Sequence, residues 1–98
     1  MNANLQTEPL YITVRGGSMA PDFKHGDRVL IDCSDRCTAQ PGAFAVQLDG
    51  EIVLRLIERI PGSRRVRLFC ADERFTGSEI DPDNLEILGR PAWRGRRI

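Results

Sequence analysis

The clearest structural signal in the sequence is Ala43-Phe44-Ala45-Val46-Gln47-Leu48-Asp49-Gly50-Glu51-Ile52-Val53-Leu54-Arg55-Leu56. Its two apolar runs are separated by Asp49-Gly50, a dipeptide that is strongly favoured in two-residue turns between antiparallel strands. The second run continues to Ile60 and stops at Pro61-Gly62. The stretch therefore predicts a β-hairpin in which residues 43–48 pair with residues 51–60.

Other short apolar runs, bounded by turn residues, lie on both sides of this hairpin. They cover residues 10–14, 28–32, 65–70, 85–88 and 91–98. No segment keeps a helical period over ten or more residues, so helix is limited to a short turn near residues 19–23. Residues 34–41 and 72–84 are predicted to be flexible loops. The whole pattern predicts an all-β domain of twisted antiparallel sheets with little helix.

Composition excludes several classes of protein. The chain has 98 residues, which suits one small domain. Its fourteen basic residues are balanced by fourteen acidic ones, and no recognition helix is predicted, so a stand-alone nucleic-acid binder is not expected. No apolar stretch approaches the roughly 18 residues that span a bilayer, and the polar start resembles no secretory signal. We therefore expect a cytoplasmic protein without a membrane segment.

The cysteines indicate neither a disulfide framework nor a metal centre. Cys33, Cys37 and Cys70 are odd in number, which argues against complete pairing. Cys33 and Cys37 have no second Cys/His pair at zinc spacing. We expect reduced, partly buried thiols, no metal and no cofactor.

A candidate nucleophile lies in Gly16-Gly17-Ser18-Met19-Ala20-Pro21, which follows a predicted strand and precedes Gly26-Asp27. Ser18 is either part of a plain turn or a nucleophile with backbone N–H groups beside it. A serine nucleophile needs a base. The chain's single histidine, His25, and its single lysine, Lys24, are the candidates from the neighbouring polar turn. A lysine base must be desolvated until its pKa falls by about 3 units, which an exposed turn does not provide.

These motifs together resemble the LexA-like peptidase family, which includes SOS repressors and the C-terminal domains of phage repressors. The order is Gly-x-Ser-Met-x-Pro, Gly-Asp with an apolar strand, and an Asp-Gly hairpin. Residues 49–56 resemble the family's hairpin strand, which carries Lys-Arg-Leu. Cys70-Ala71-Asp72-Glu73 falls where the family usually has Ser-Asp-Asn, and residues 88–94 resemble its closing strand. The resemblance runs from about residue 10 to residue 98 and implies a LexA/signal peptidase-like fold.

The resemblance implies a Ser–Lys dyad with Ser18 as nucleophile, but the lysine is replaced. Counting without gaps from the flanking turns places the lysine position at Arg55, whereas matching the Lys-Arg-Leu motif places it at Leu54. Neither side chain can act as a base near pH 7. Gly17 stands where the family usually has Asp or Asn. The Ala-Gly or Cys-Gly bond that family members cut in their own chain is absent from the sequence. A degenerate dyad is expected, although Arg55 could also be an ordinary strand residue pointing outward.

The function implied is that of a C-terminal regulatory and dimerisation domain of a LexA-like or phage-type repressor. Residues 1–9 are expected to be a flexible segment and residues 10–98 the domain. The expected partners are a second copy, DNA only through a headpiece absent from this chain, and an antirepressor or activator protein. The alternative is an active self-processing serine peptidase with Lys24 or His25 as base. A signal-peptidase-like enzyme ranks last, because it needs a membrane anchor and a lysine.

The C-terminal strand is the expected dimer surface. Trp93 and Ile98 would be its apolar anchors. They lie among four arginines, Arg90, Arg94, Arg96 and Arg97. The alternative left open is that Trp93 packs in the core with a solvated arginine fringe.

Overall fold

The computed structural model describes residues 10–95, which form one antiparallel sheet of seven strands. The strands are β1 (Leu10–Thr13), β2 (Arg28–Asp32), β3 (Gly42–Leu48), β4 (Glu51–Arg59), β5 (Val66–Phe69), β6 (Ser78–Ile80) and β7 (Glu86–Gly95). Their order across the sheet is β1-β2-β7-β3-β4-β5-β6. A single 3-10 turn, Pro82–Asn84, is the helix found in this part of the chain. The all-β prediction is confirmed; the predicted flexible segment 1–9 lies outside the described residues.

The central hairpin forms as the sequence predicts. Leu48 pairs with Glu51, so the connection is the two-residue turn Asp49-Gly50. Both turn residues have positive φ, 50° at Asp49 and 82° at Gly50. Such a turn matches the right-handed twist of the two strands that it joins. The register of β3 on β4 is therefore fixed, and so is the face to which each hairpin residue points.

The last strand is longer than expected and holds the sheet together. The sequence suggested two separate runs, 85–88 and 91–98, but Glu86–Gly95 is one continuous strand. Its first half pairs with β3 and its second half with β2. The register shifts once against each partner, and such bulges bend a strand and increase its local twist. Pro91, which donates no backbone hydrogen bond, is tolerated next to one of these shifts.

Gly89 marks the point where β7 crosses from one partner strand to the other. A Cβ atom built at this position would overlap the backbone carbonyl of Asp32 and lie 2.9 Å from Cα of Cys33. The neighbouring groups are backbone atoms that a side-chain rotation cannot move. Glycine is therefore required there by the close approach of β2 to β7.

The prediction of a loop over residues 72–84 is wrong in its second half. Residues Ser78–Ile80 form β6, which pairs with β5 through Val66–Ile80 and Arg67–Glu79. The 3-10 turn follows, capped by the Asp81 carboxylate, which accepts a hydrogen bond from the Asp83 backbone N–H. A strand of three residues is too short to show an alternating pattern in the sequence. Its pairing with β5 depends on tertiary structure.

Two hydrophobic clusters lie on opposite faces of the β3–β4 hairpin. The first cluster contains Ile12, Val14, Met19, Val29, Ile31, Ala45, Leu54 and Cys70. The second cluster contains Phe44, Val46, Ile57, Val66, Leu68 and Leu85. Successive strand residues alternate between the two faces, as Ala45 and Val46 do. No helix within residues 10–95 is long and apolar enough to cross a bilayer.

Candidate functional site

Ser18 lies in a compact loop between β1 and β2. The loop is closed at its base, where Val14 N–H donates to Asp27 O at 2.9 Å and Gly26 N–H donates to Val14 O at 2.8 Å. Met19, next to the serine, is 2% exposed and packs in the first cluster. The predicted short turn is present here, and Ser18 itself is half-buried. The serine therefore follows a strand end and is held in place by its buried neighbour.

The Gly26-Asp27 pair of the motif shapes this loop. Gly26 has φ +92°, a conformation that residues with a side chain rarely adopt. Asp27 is 2% exposed, and its Oδ2 accepts a hydrogen bond from the Lys24 backbone N–H at 2.9 Å. The motif thus fixes the turn that returns the chain to β2.

A small cavity of about 80 Å³ lies beside Ser18, between the end of β1 and the first half of β4. Its walls come from Ile12, Thr13, Val14, Arg15, Ser18, Met19, Ile52, Val53, Leu54 and Arg55. It continues into a shallower depression of about 460 Å³, which shares Ile12, Thr13, Arg15, Ile52 and Val53. Within the described residues, β1 is an edge strand, and residues 51–55 of β4 pair only with β3. The depression is thus bordered by two strand edges, a geometry that can hold an extended peptide.

The two candidate lysine positions point to opposite faces of β4. Leu54 pairs with Ala45, is 4% exposed, and packs in the first cluster with Met19. Arg55 pairs with Phe44, which belongs to the second cluster. The Arg55 guanidinium turns back along its strand, and Nη1 donates to Leu54 O at 2.7 Å. Both residues reach the cavity wall, but the side chain on the Met19 side of the strand is that of Leu54.

The candidate bases Lys24 and His25 are both exposed. His25 Nδ1 accepts a hydrogen bond from the Gly16 backbone N–H at 2.9 Å, so the lone pair of that nitrogen is already engaged. Of the residues described, those that line the cavity beside Ser18 include no lysine and no histidine. The structure thus brings His25 to the serine loop but places neither group in the cavity wall.

The backbone favours glycine at only one of the two positions before the serine. Gly16 has φ +77°, which favours glycine. Gly17 has no positive φ, and a Cβ atom there would meet nothing within 4 Å. Packing within the described structure therefore leaves room for the Asp or Asn side chain that the resemblance implies at position 17.

Asp72 is hydrogen-bonded to the serine loop, a role that the sequence did not reveal. Its backbone N–H donates to Ser18 O at 2.9 Å. Its carboxylate accepts hydrogen bonds from Arg74, with Nη2 to Oδ2 at 2.7 Å. These bonds, with the backbone N–H of Arg74, lower the pKa of Asp72 to about 2. The Asp-x-Arg spacing was a visible signal for this pair.

The predicted dimer strand has an exposed tryptophan. Trp93 is 57% exposed, so the alternative in which it packs in the core is wrong. The Arg90 guanidinium lies 4.1 Å from the ring centroid of Phe44 and its Nε lies 3.3 Å from Asp35 Oδ2. The Arg94 guanidinium lies 5.7 Å from the ring centroid of Phe23. Arg96, Arg97 and Ile98 lie outside the described residues.

The cysteines are all free thiols. Cys70 is buried, Cys33 is half-buried and Cys37 is exposed. In residues 10–95 no group of three or more His, Cys, Asp or Glu side chains is arranged to hold a metal ion.

The fold and the serine loop together define a small all-β domain in which a serine follows the first strand and faces the first half of a central hairpin strand. The comparison with family models agrees with this description. The model of the Peptidase S24-like family matches residues 3–91, which is most of the chain. The chain therefore belongs to the Peptidase S24-like family. Comparison with curated proteins gives no match.

Proposed function

We propose that this chain is the C-terminal regulatory and dimerisation domain of a LexA-like or phage-type repressor, and that it does not cleave itself. One observation carries the second half of the proposal: the cavity beside Ser18 is lined by Leu54 and Arg55 and, among the described residues, by no lysine or histidine. A serine in this position would be a nucleophile without a base beside it.

The chemistry of the two candidate residues supports loss of cleavage. Leucine has no atom that can accept a proton. Deprotonating an arginine near pH 7 would require a pKa shift of about 6 units, or about 8 kcal/mol, which guanidinium groups in proteins do not undergo. The Arg55 guanidinium also donates a hydrogen bond to Leu54 O, so one of its N–H groups is engaged with the backbone.

A dimerisation role needs a surface and no catalysis. Joining two DNA-binding headpieces through one dimer makes the second half-site contact intramolecular, which raises its effective concentration. A two-fold dimer also matches a palindromic operator. The exposed Trp93 supports such a surface on this chain. DNA would then be contacted by the headpiece of the full repressor, in the cytoplasm, and an antirepressor or activator could regulate it.

One experiment distinguishes our proposal from its rival, a working self-processing peptidase. The full-length protein is incubated at pH 7 to 10 alongside Ser18→Ala, Lys24→Met and His25→Gln variants, and fragments are followed by mass spectrometry. We expect the same fragment pattern for all four proteins. Fragments that disappear in Ser18→Ala would overturn the loss of cleavage, and the other two variants would then identify the base.

Dimerisation is tested separately, by sedimentation velocity of this chain. A concentration-dependent shift from monomer to dimer is expected. A monomer at all concentrations up to about 500 micromolar would count against the regulatory dimer, because an interface weaker than this contributes little.

A further inference from the structure

Three side chains form a row across the outer face of β1, β2 and β7. Tyr11 pairs in register with Leu30, and Leu30 pairs in register with Trp93. Paired residues of neighbouring strands lie side by side on one face of a sheet. Tyr11 is 44% exposed and Trp93 is 57% exposed, with the half-buried Leu30 between them. We call Tyr11, Leu30 and Trp93 the aromatic row.

The two aromatic rings of this row are held against the sheet. A Cβ atom built at Gly95 would overlap the outer edge of the Trp93 indole, so this edge of the ring lies close to the glycine backbone. The Arg28 guanidinium lies 4.9 Å from the ring centroid of Tyr11. Each exposed ring thus has a contact with its own sheet, which reduces the side-chain entropy that would be lost when another surface covers it.

A positive and a negative side chain lie on the two sides of the aromatic row, so that two copies of the row could pair opposite charges. Arg28, Leu30 and Asp32 are alternate residues of β2 and share the outer face. Arg28 and Asp32 are both exposed, and the four residue steps from one to the other span about 13 Å. Ser34 Oγ donates to Asp32 Oδ1 at 2.6 Å, and this bond lowers the pKa of the carboxyl group. The strand thus reads positive, apolar and negative along one line.

We propose that a second copy of this chain docks face to face on the aromatic row, about a two-fold axis at Leu30 that brings Arg28 of each copy to Asp32 of the other. This inference rests on the dimerisation proposed above and names its surface. A two-fold axis that lies between the two faces and runs perpendicular to β2 places position 28 of each copy opposite position 32 of the other and leaves position 30 at the centre. The formal net charge of the chain is zero, so two copies approach without overall repulsion.

The size of the patch sets the strength of the dimer. Three strands and five residues of β2 cover about 10 by 13 Å of sheet. This is well below the roughly 800 Å² per partner of a stable standard interface. The aromatic row by itself therefore fits only a weak dimer.

The test measures dimer dissociation constants of variants of this chain by sedimentation velocity. Leu30→Lys puts two like charges on the axis and should abolish the dimer below about 500 micromolar. Arg28→Asp and Asp32→Arg should each weaken it at least about tenfold, because every reversal acts twice in a two-fold dimer. The double variant Arg28→Asp/Asp32→Arg restores complementarity and should recover the dimer to within about threefold. Arg59→Asp, an exposed reversal on β4, is the control and should change nothing.

A second readout is the fluorescence of Trp93, the single tryptophan of the chain. Its emission should shift to the blue as concentration rises in the wild type and in Arg59→Asp, and not in Leu30→Lys. Circular dichroism checks that each variant is folded. Should Leu30→Lys not fold, Trp93→Ser replaces it in sedimentation, because that side chain is largely outside the core.

The outcomes separate this inference from the proposed function. A monomeric wild type would overturn both. A wild-type dimer that persists in Leu30→Lys and in both single reversals, with no change in Trp93 emission, would leave dimerisation standing and overturn the aromatic row as its surface.

Discussion

Placing a lysine at position 54 tests the proposal that this domain lacks a catalytic base. Leu54 lies on the face of β4 that carries the first cluster, beside Met19 of the serine loop, and both Leu54 and Ser18 line the same cavity. A lysine there would extend from the strand toward the serine within an apolar wall. Arg55→Lys is the matched control, because its side chain starts on the opposite face.

The magnitude follows from burial. Leu54 is 4% exposed, and a fully buried lysine has its pKa lowered by about 3 to 5 units. A fall of about 3 units in the pKa of this lysine costs about 4 kcal/mol of folding stability at any pH where the lysine is protonated in both the folded and the unfolded state. The unfolded lysine, with a pKa of about 10.4, then binds the proton that the folded one has released. The cost is therefore complete below about pH 7, shrinks by about 1.4 kcal/mol per pH unit, and vanishes above about pH 10.

Two measurements follow from this reasoning. Urea unfolding from pH 6 to 10 should show Leu54→Lys approaching wild type as pH rises, while Arg55→Lys stays within about 1 kcal/mol of wild type throughout. A fluorophosphonate probe, followed by intact mass, should label Leu54→Lys on Ser18 above about pH 8 and leave wild type and Arg55→Lys unlabelled. Labelling of Arg55→Lys instead, or a folded Leu54→Lys that remains unreactive at pH 9, would refute the assignment of the facing position.

Three further predictions concern the framework of the fold. Gly89→Ala should lower the free energy of unfolding by about 3 kcal/mol or more in urea titrations, because the backbone must move to admit the methyl group. Gly17→Ala is the control, because the space around position 17 is open. Its free energy of unfolding should stay within about 0.5 kcal/mol of wild type. Gly50→Ala should cost about 1 to 2 kcal/mol in the same assay, because the turn holds φ at +82°, and an unchanged midpoint would argue against that turn. The pKa of Asp72 is lowered to about 2, so its contact with Arg74 stabilises the fold above the unfolded pKa of about 3.9, and this stability is lost as pH falls toward 2. The free energy of unfolding should therefore fall less with acid in Asp72→Asn than in wild type. Equal acid profiles for Asp72→Asn and wild type would contradict this prediction.

Backbone preferences of a few adjacent residues were enough to predict the hairpin turn and the serine loop. The Asp49-Gly50 turn fixes its own backbone angles, so the hairpin and its register could be predicted before any contact was known. The Gly-x-Ser-Met-x-Pro order likewise marked a serine at a strand end. The role of Asp72 was missed, because its hydrogen bond to Ser18 O joins residues far apart in the chain.

Position 54 shows where prediction from sequence stops. Counting from the turns pointed to Arg55 and motif matching pointed to Leu54, and no local pattern distinguishes two adjacent strand residues of which either could face the serine. Pairing with β3 separates them, because Leu54 opposite Ala45 and Arg55 opposite Phe44 fall on different faces. Side-chain alternation is local, but which face meets the serine loop depends on how distant segments pack.

The amino-acid sequence alone determined the all-β class, the tight turns and the serine loop, since each depends on backbone preferences of a few adjacent residues. Tertiary structure decided that β7 is one strand between β2 and β3, and that Ser78–Ile80 pair with β5. It also aligned Tyr11, Leu30 and Trp93 in one row. These features come from hydrogen bonds between segments distant along the chain, and pairing of that kind is settled only when the whole sheet assembles.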